Sequence, residues 1–246
     1  MNPSEYDKMY ALEDRYWWFV ARRTVALDLL RAAFSGSKGL EILDFGCGTG
    51  VISRALQDFG PVVSFDMSPL ALAYCRQRGL PFPVQGDGCA LPFAEGQFDA
   101  MVGLDVFEHI EDDERAFHEA FRVLKPGGAL VLSVPAYAYL WGPHDVALHH
   151  FRRYTGPEVA RKLAAAGFKV EKVTYSVCFL FPLVLLSRLV EKTRRGPAKA
   201  SLPMVPDWLN RLLLRVQGVE ASLILRGSLP WGSSVLAVAR KPKSAS

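Results

Sequence analysis

LEILDFGCGTG, residues 40–50, decides the architecture. A short apolar run ends at Asp44, and glycines follow at positions 46, 48 and 50. Such a run reads as a buried strand, and Val51 to Phe59 reads as a helix. A strand that turns straight into a helix aims the helix N-terminus at the C-terminal edge of the sheet, where open α/β folds bind ligands. Glycine permits the tight turn and lets a ligand approach the backbone closely. The free N–H groups at the helix start favour an anionic or polar ligand.

Working outward, PVVSFD is a second strand, and Ser68-Pro69 supplies an N-cap and first-turn proline for a helix through Arg78. Pro83 to Gly86 and Phe98 to Asp105 read as the third and fourth strands. Asp112 to Leu124 reads as a helix halted by Pro126-Gly127-Gly128, before a fifth strand at Ala129 to Pro135. Strands alternating with helices imply parallel βαβ units and a sheet covered on both faces. A helical lead-in carries Trp18, Phe19, Val25, Ala26, Leu29 and Leu30 at helical spacing. Thr155 and Glu158 match a capping box, opening a helix through Ala166. FKVEKVTYS and SSVLAVAR are further strands. Between them lies an insertion, Val177 to Trp231, interrupted by Pro182, Pro197, Pro203 and Pro206. Its second half sets Leu209, Leu212, Leu213, Val216, Val219 and Leu223 on one helical stripe. Residues 1–246 read as one domain: a helical lid (1–36), a core (37–176), the helical insertion (177–231) and a last strand with its tail (232–246).

Half of the 246 residues are apolar and 22% are charged, enough for a large core. A net charge of +4 is too weak to argue for nucleic acid. The four cysteines form no CxxC, so reduced thiols are expected and a zinc site is not. The N-terminus lacks an apolar signal core. The most apolar run, Val173 to Ser187, is short for a membrane span. A cytoplasmic location follows as an expectation, with peripheral membrane contact left open.

Two cofactor classes use a glycine turn of this kind. A dinucleotide site prefers G-x-G-x-x-G with an acid further on. Here the spacing is G-x-G-x-G, which does not favour an NAD(P)-dependent oxidoreductase. Asp66, closing the second strand, can accept hydrogen bonds from ribose hydroxyls and suits either class.

LDFGCGTG, FDMSPLAL, GDGCALPFAEGQFD, GLDVFEHI and LKPGGALVLSVP, in this order from about Glu41 to Pro135, resemble the class I S-adenosylmethionine-dependent methyltransferases. The likeness is greatest to the branch that includes quinone-biosynthesis enzymes. The resemblance implies a doubly wound, mainly parallel, seven-stranded Rossmann-like sheet whose last strand, SSVLAVAR, is antiparallel. It implies S-adenosyl-L-methionine as cofactor. Asp44 and the backbone of Gly46, Gly48 and Gly50 would hold its methionine part. Asp66, with Met67 beside it, would bind the ribose; Asp87 and Gly88 would face the adenine; Leu104 and Asp105 would lie beneath the cofactor. The helical lid, DRYWWFVARR, would fold over it, with Arg22 or Arg23 meeting its carboxylate.

Methyl transfer from a sulfonium is an in-line displacement, so the protein mainly aligns groups and excludes water. A hydroxyl or amine acceptor must also lose a proton, which a nearby base assists. His109, in the Glu108-His109 pair after the fourth strand, is the first candidate. WGPHDVALHHFRRYT supplies His144 and His149 as further candidates, and Asp145, Arg152, Arg153 and Tyr154 as acceptor-binding residues. A metal held by His144, Asp145 and His149 is not expected. The insertion, with Arg188, Lys192, Arg194, Arg195, Arg211 and Arg215, suggests a pocket roof, a dimer surface or a surface resting on an anionic membrane. Methyl transfer to oxygen of a small or lipid-like, anionic acceptor is the expected activity; the rivals are the oxidoreductase and a non-catalytic cofactor-binding protein.

Overall fold

The structure, a computed structural model, describes residues 3–193 and 205–243. Seven strands form one sheet: β1 (Ile42–Phe45), β2 (Val62–Asp66), β3 (Pro83–Gln85), β4 (Phe98–Leu104), β5 (Leu124–Pro135), β6 (Lys169–Ser176) and β7 (Ser234–Arg240). Their order is β3-β2-β1-β4-β5-β7-β6. The first five are parallel, and β7 runs antiparallel between β5 and β6. This is the doubly wound sheet with an antiparallel last strand that the sequence implies.

Every residue of β1 is buried, because helices cover both faces. On one face lie α2 (Trp17–Ala33), α3 (Val51–Leu56) and α9 (Asp207–Arg226), supplying Leu29, Leu30, Ile52 and Ile224. On the other, α5 (Asp113–Val123) and α7 (Gly156–Ala165) supply Phe117, Val123 and Leu163. Strand order reverses between β1 and β4, so a crevice opens above their C-terminal ends, the usual place for a ligand.

The boundary signals hold locally. Ser68 caps α4 (Pro69–Gln77) by accepting from the Ala71 amide, and Thr155 caps α7 by accepting from the Glu158 amide. Three readings need correction. The lead-in is two helices, α1 (Pro3–Leu12) and α2. Pro126-Gly127-Gly128 does not separate helix from strand, because β5 begins at Leu124, paired with Phe98. The register then shifts between Phe98 and Ala100, so the three residues form a bulge inside the strand. Pro182 falls in the first turn of α8 (Phe181–Thr193) and opens that helix.

Helix α9 buries Gln217, Glu220, Ala221 and Ile224, whereas Leu212, Val219 and Leu223 of its apolar stripe are exposed. Glu220 accepts from the backbone amides of Val177 and Phe179, the latter at 3.1 Å. Two otherwise unpaired N–H groups thus draw a carboxylate inward and turn part of the apolar stripe outward. Arg194, Arg195, Pro197 and Pro203 lie outside the described residues. Among the described residues, no helix is long and apolar enough to cross a membrane.

Candidate active site

A cavity of about 1080 Å³ sits over the C-terminal ends of β1, β2 and β4. At one end it meets Asp44, Gly46, Gly48, Asp66 and Leu104, with Met67 and Gly88 close by. The glycine turn explains itself in backbone angles: Gly46, Gly48 and Gly50 have φ of 73°, 54° and 87°. Side chains disfavour this left-handed region, and at Gly48 a Cβ would also strike Met9 of the lid. Gly50 does not line the cavity. It is buried as the N-cap of α3, where a Cβ would meet Leu80 at 2.6 Å.

Asp44 is 2% exposed and accepts from the Ser53 hydroxyl at 2.5 Å. Burial pushes its carboxyl up to about 7 despite that bond. Asp66 accepts from the Gly48 and Ser68 amides, both at 2.9 Å, so it braces the glycine turn while facing the cavity. Burial raises this carboxyl too, and the two amides oppose the rise. Asp87 is exposed and accepts from the Cys89 amide at 2.9 Å. This local turn engages its carboxylate, and its neighbour Gly88, not Asp87, lines the cavity.

The lid closes this end through ions. Glu13 is buried, accepts from Thr49 Oγ1 at 2.5 Å and pairs with buried Arg78, which also donates to the Thr49 carbonyl at 2.7 Å. Arg22 of α2 reaches across to pair with Asp105, and its guanidinium lies 4.5 Å over the Trp18 ring. Asp105 has a positive φ of 54° and accepts from Ser133 Oγ at 2.7 Å. Burial pushes this carboxyl up, but Arg22 and Ser133 outweigh it and hold it below the ordinary value. Arg22 thus meets a protein carboxylate in this structure, while lining the cavity.

The far end is lined by Glu108, His109, His144, His150 and Arg153. His109 and Glu108 lie on a 3-10 turn, Phe107–His109, directly after β4. Glu108 is fully buried, and among the described residues neither carboxyl oxygen has a hydrogen-bond partner. Burial, with Asp105 beside it, pushes its carboxyl well above the usual range. Burial and neighbouring His150 lower His109 to about 3, and burial with Arg188 nearby lowers His144 to about 4. Both imidazoles are therefore neutral hydrogen-bonding groups at ordinary pH. The His109 and His150 rings meet edge-on at 4.6 Å.

Asp145, fully buried at the short helix α6 (Pro143–Ala147), organises this end from behind and does not line the cavity. It binds His150 Nδ1 at 2.9 Å, Arg153 Nε at 2.8 Å and the Gly142 amide at 2.8 Å. Against the upward push of burial, His150 and Arg153 hold its carboxyl well below the ordinary value. A carboxylate only accepts, so Nδ1 donates and Nε2 of His150 is left free to accept a proton.

Three expected residues lie elsewhere. His149 has φ 58° and is exposed, because the turn after α6 faces it outward; its neighbour His150 takes the inner position. Arg152 pairs with Asp113 at 2.7 Å and with the Glu111 carbonyl. Tyr154 is fully buried, donates to Asp113 at 2.8 Å and ties its backbone to β5 through Pro135. His144, Asp145 and His149 do not converge as a metal site. Among the described residues, Glu108, His109 and His150 bring ligand atoms within 4.8 Å of one another and are the group that could hold a cation.

A glycine turn at the cavity wall, the acids Asp44 and Asp66 at strand ends and a closing lid define a nucleoside-cofactor site on a doubly wound sheet. Residues 43–132 match the family described as "Methyltransferase domain". The chain is 35% identical over 195 residues to an uncharacterized methyltransferase of Mycolicibacterium gilvum, covering 69% of this chain and 76% of that one. It is 31% identical over 201 residues to a ubiquinone biosynthesis O-methyltransferase of Xanthomonas oryzae, covering 70% and 83%. A Haloferax volcanii protein solved in complex with the Trm112 methyltransferase activator shares the fold, with TM-score 0.61 at 22% identity over 99% of this chain and 96% of that one. The chain belongs to the class I S-adenosylmethionine-dependent methyltransferases; it is an enzyme, and S-adenosyl-L-methionine is its cofactor. The oxidoreductase reading and the non-catalytic reading are set aside on this ground.

Proposed function

We propose that this methyltransferase acts on an oxygen of a small, lipid-like and anionic acceptor, with His150 accepting the proton. The observation that carries the reading is the His150–Asp145 pair at the end of the cavity opposite the glycine turn. An ionised carboxylate behind an imidazole fixes its orientation and leaves one nitrogen for the reacting group. His109 and His144, with little affinity for a proton, orient the acceptor. Arg153 and Arg188 bring positive charge, and Val184 of α8 brings an apolar wall. The Xanthomonas relative, named as an O-methyltransferase, supports oxygen as the attacked atom. The cavity, at about 1080 Å³, exceeds the usual range for one small ligand and suits a donor with an acceptor beside it. Residues 1–246 act in this reading as one domain, with the lid and the insertion serving the core.

When bound, S-adenosylmethionine supplies an electrophilic methyl group. Asp44 and the Gly46 and Gly48 backbone would hold the methionine part, Asp66 the ribose, and Gly88 with Leu104 the base. Trp17, Trp18 and Arg22 close the site against water. The carboxylate form of Asp44 is the one that attracts an ammonium group, and this carboxyl titrates at about 7. Cofactor affinity is therefore expected to rise about tenfold per pH unit below 7 and to level off above it. Calorimetry from pH 5.5 upward checks this, and a flat profile would remove Asp44 from the site.

The acceptor is tested with methyl-labelled cofactor and separate lipid and aqueous cell extracts. The expected product is an organic-extractable compound whose label sits on oxygen. Label found solely on a water-soluble amine would overturn the reading.

A further inference from the structure

The outward turn of the α9 stripe leaves a surface that the methyl-transfer chemistry does not use. Trp208, Leu212, Val219 and Leu223 are all exposed, Trp208 by 62% and Val219 by 59%. At 3.6 residues per turn the four lie within an arc of roughly 60°. Arg211, Arg215 and Arg226, also exposed, lie along one side of that arc. Asp207, at the first position, is the one exposed acid of α9, because Glu220 is buried. An apolar row beside a basic row is the pattern of a helix that rests in a membrane interface.

The inner face of α9 is tied to the active site. Asn210 accepts from the Trp17 amide at 2.8 Å and donates to the Arg15 carbonyl at 3.0 Å, holding the start of the lid helix. Glu220 holds the backbone that leads into α8, and α8 lines the cavity with Val184 and Ser187 while exposing Leu183 and Leu186 outside.

We infer that the outer face of α9 docks the enzyme on an anionic bilayer, with Trp208, Leu212, Val219 and Leu223 entering the interface and Arg211, Arg215 and Arg226 meeting acidic headgroups. A second copy of the chain fits this face poorly. A two-fold pairing sets the same patch against itself, so the arginine rows would meet with almost no acid to offset them. An anionic bilayer satisfies both rows at once. The inference rests on the lipid-like acceptor only for its purpose: docking brings the cavity that α8 lines to where such an acceptor resides.

The test is sedimentation of the full chain with phosphatidylcholine vesicles, with and without phosphatidylglycerol, and no acceptor present. The wild type should partition onto the anionic vesicles, more weakly at high salt. Combined Arg211→Ala, Arg215→Ala and Arg226→Ala should lower that partition about a hundredfold, at about fivefold per arginine. Combined Val219→Ser and Leu223→Ser should also lower it while keeping the charge. Calorimetric binding of S-adenosylhomocysteine should be unchanged in both variants, because none of these residues lines the cavity. Equal partition of wild type and triple variant, or equal affinity for neutral vesicles, overturns the inference. So does a wild-type dimer without vesicles that either variant converts to monomer. Docking with methylation of a water-soluble amine would refute the acceptor class and leave the docking surface standing.

Discussion

Asp66→Ala is expected to weaken S-adenosylhomocysteine binding by about 10²- to 10⁴-fold. The carboxylate holds the Gly48 and Ser68 amides, both at 2.9 Å, and faces the cavity with its remaining lone pairs. Hydrogen bonds to a charged group contribute about 1.5–3 kcal/mol each. Alanine removes those made to the ribose and also releases the glycine turn from its brace. Two such losses account for the estimate. Asp66→Asn separates the effects: it keeps an oxygen for one amide but loses the charge, and should fall between wild type and alanine. Titration calorimetry reads both. Unaltered affinity in the alanine variant, with a normal melting temperature, would mean that the donor binds elsewhere.

The second large effect is on turnover. His150→Ala is expected to lower kcat by about 10²- to 10⁴-fold, the usual contribution of a positioned base. Affinity for S-adenosylhomocysteine should stay near wild type, because His150 belongs to the far end of the cavity. Asp145→Asn should also lower kcat, since its neutral amide fixes neither His150 nor Arg153 as the carboxylate does. The assay is single-turnover methyl transfer with saturating donor. A wild-type rate in His150→Ala would assign the proton to solvent. Equal losses in donor affinity and in rate would assign His150 a structural part.

How far the sequence reveals this site depends on the kind of signal each part carries. The glycine turn and the strand-end acids are readable because backbone geometry demands them: Gly46, Gly48 and Gly50 all adopt left-handed angles, and Asp66 must brace the turn. The sheet is readable because its inner strands β1, β4, β5 and β7 are mostly apolar and buried. The loop after β5 is not readable residue by residue. His149 and His150 are adjacent and chemically alike, and only the turn after α6 decides which faces inward. Tyr154 and Arg152 look like binding residues in a polar stretch, but Asp113, distant in sequence, takes both. Glu108 was visible beside His109, yet its importance comes from burial without a partner, which no local pattern reveals. The α9 stripe is legible as an apolar face, but periodicity does not say what covers it.

The position of β7 has a consequence for how the chain comes together during synthesis. Among the described residues, β6 joins the sheet only through β7, and β7 is the last of the seven strands in chain order. Residues 169–176 therefore wait, without a strand partner, until the residues up to Arg240 have left the ribosome. Until then β5 presents a bare edge, open to pairing with another nascent chain. The final strand acts as a keystone, and its long sequence separation from β5 makes its pairing a non-local and therefore slower step of folding.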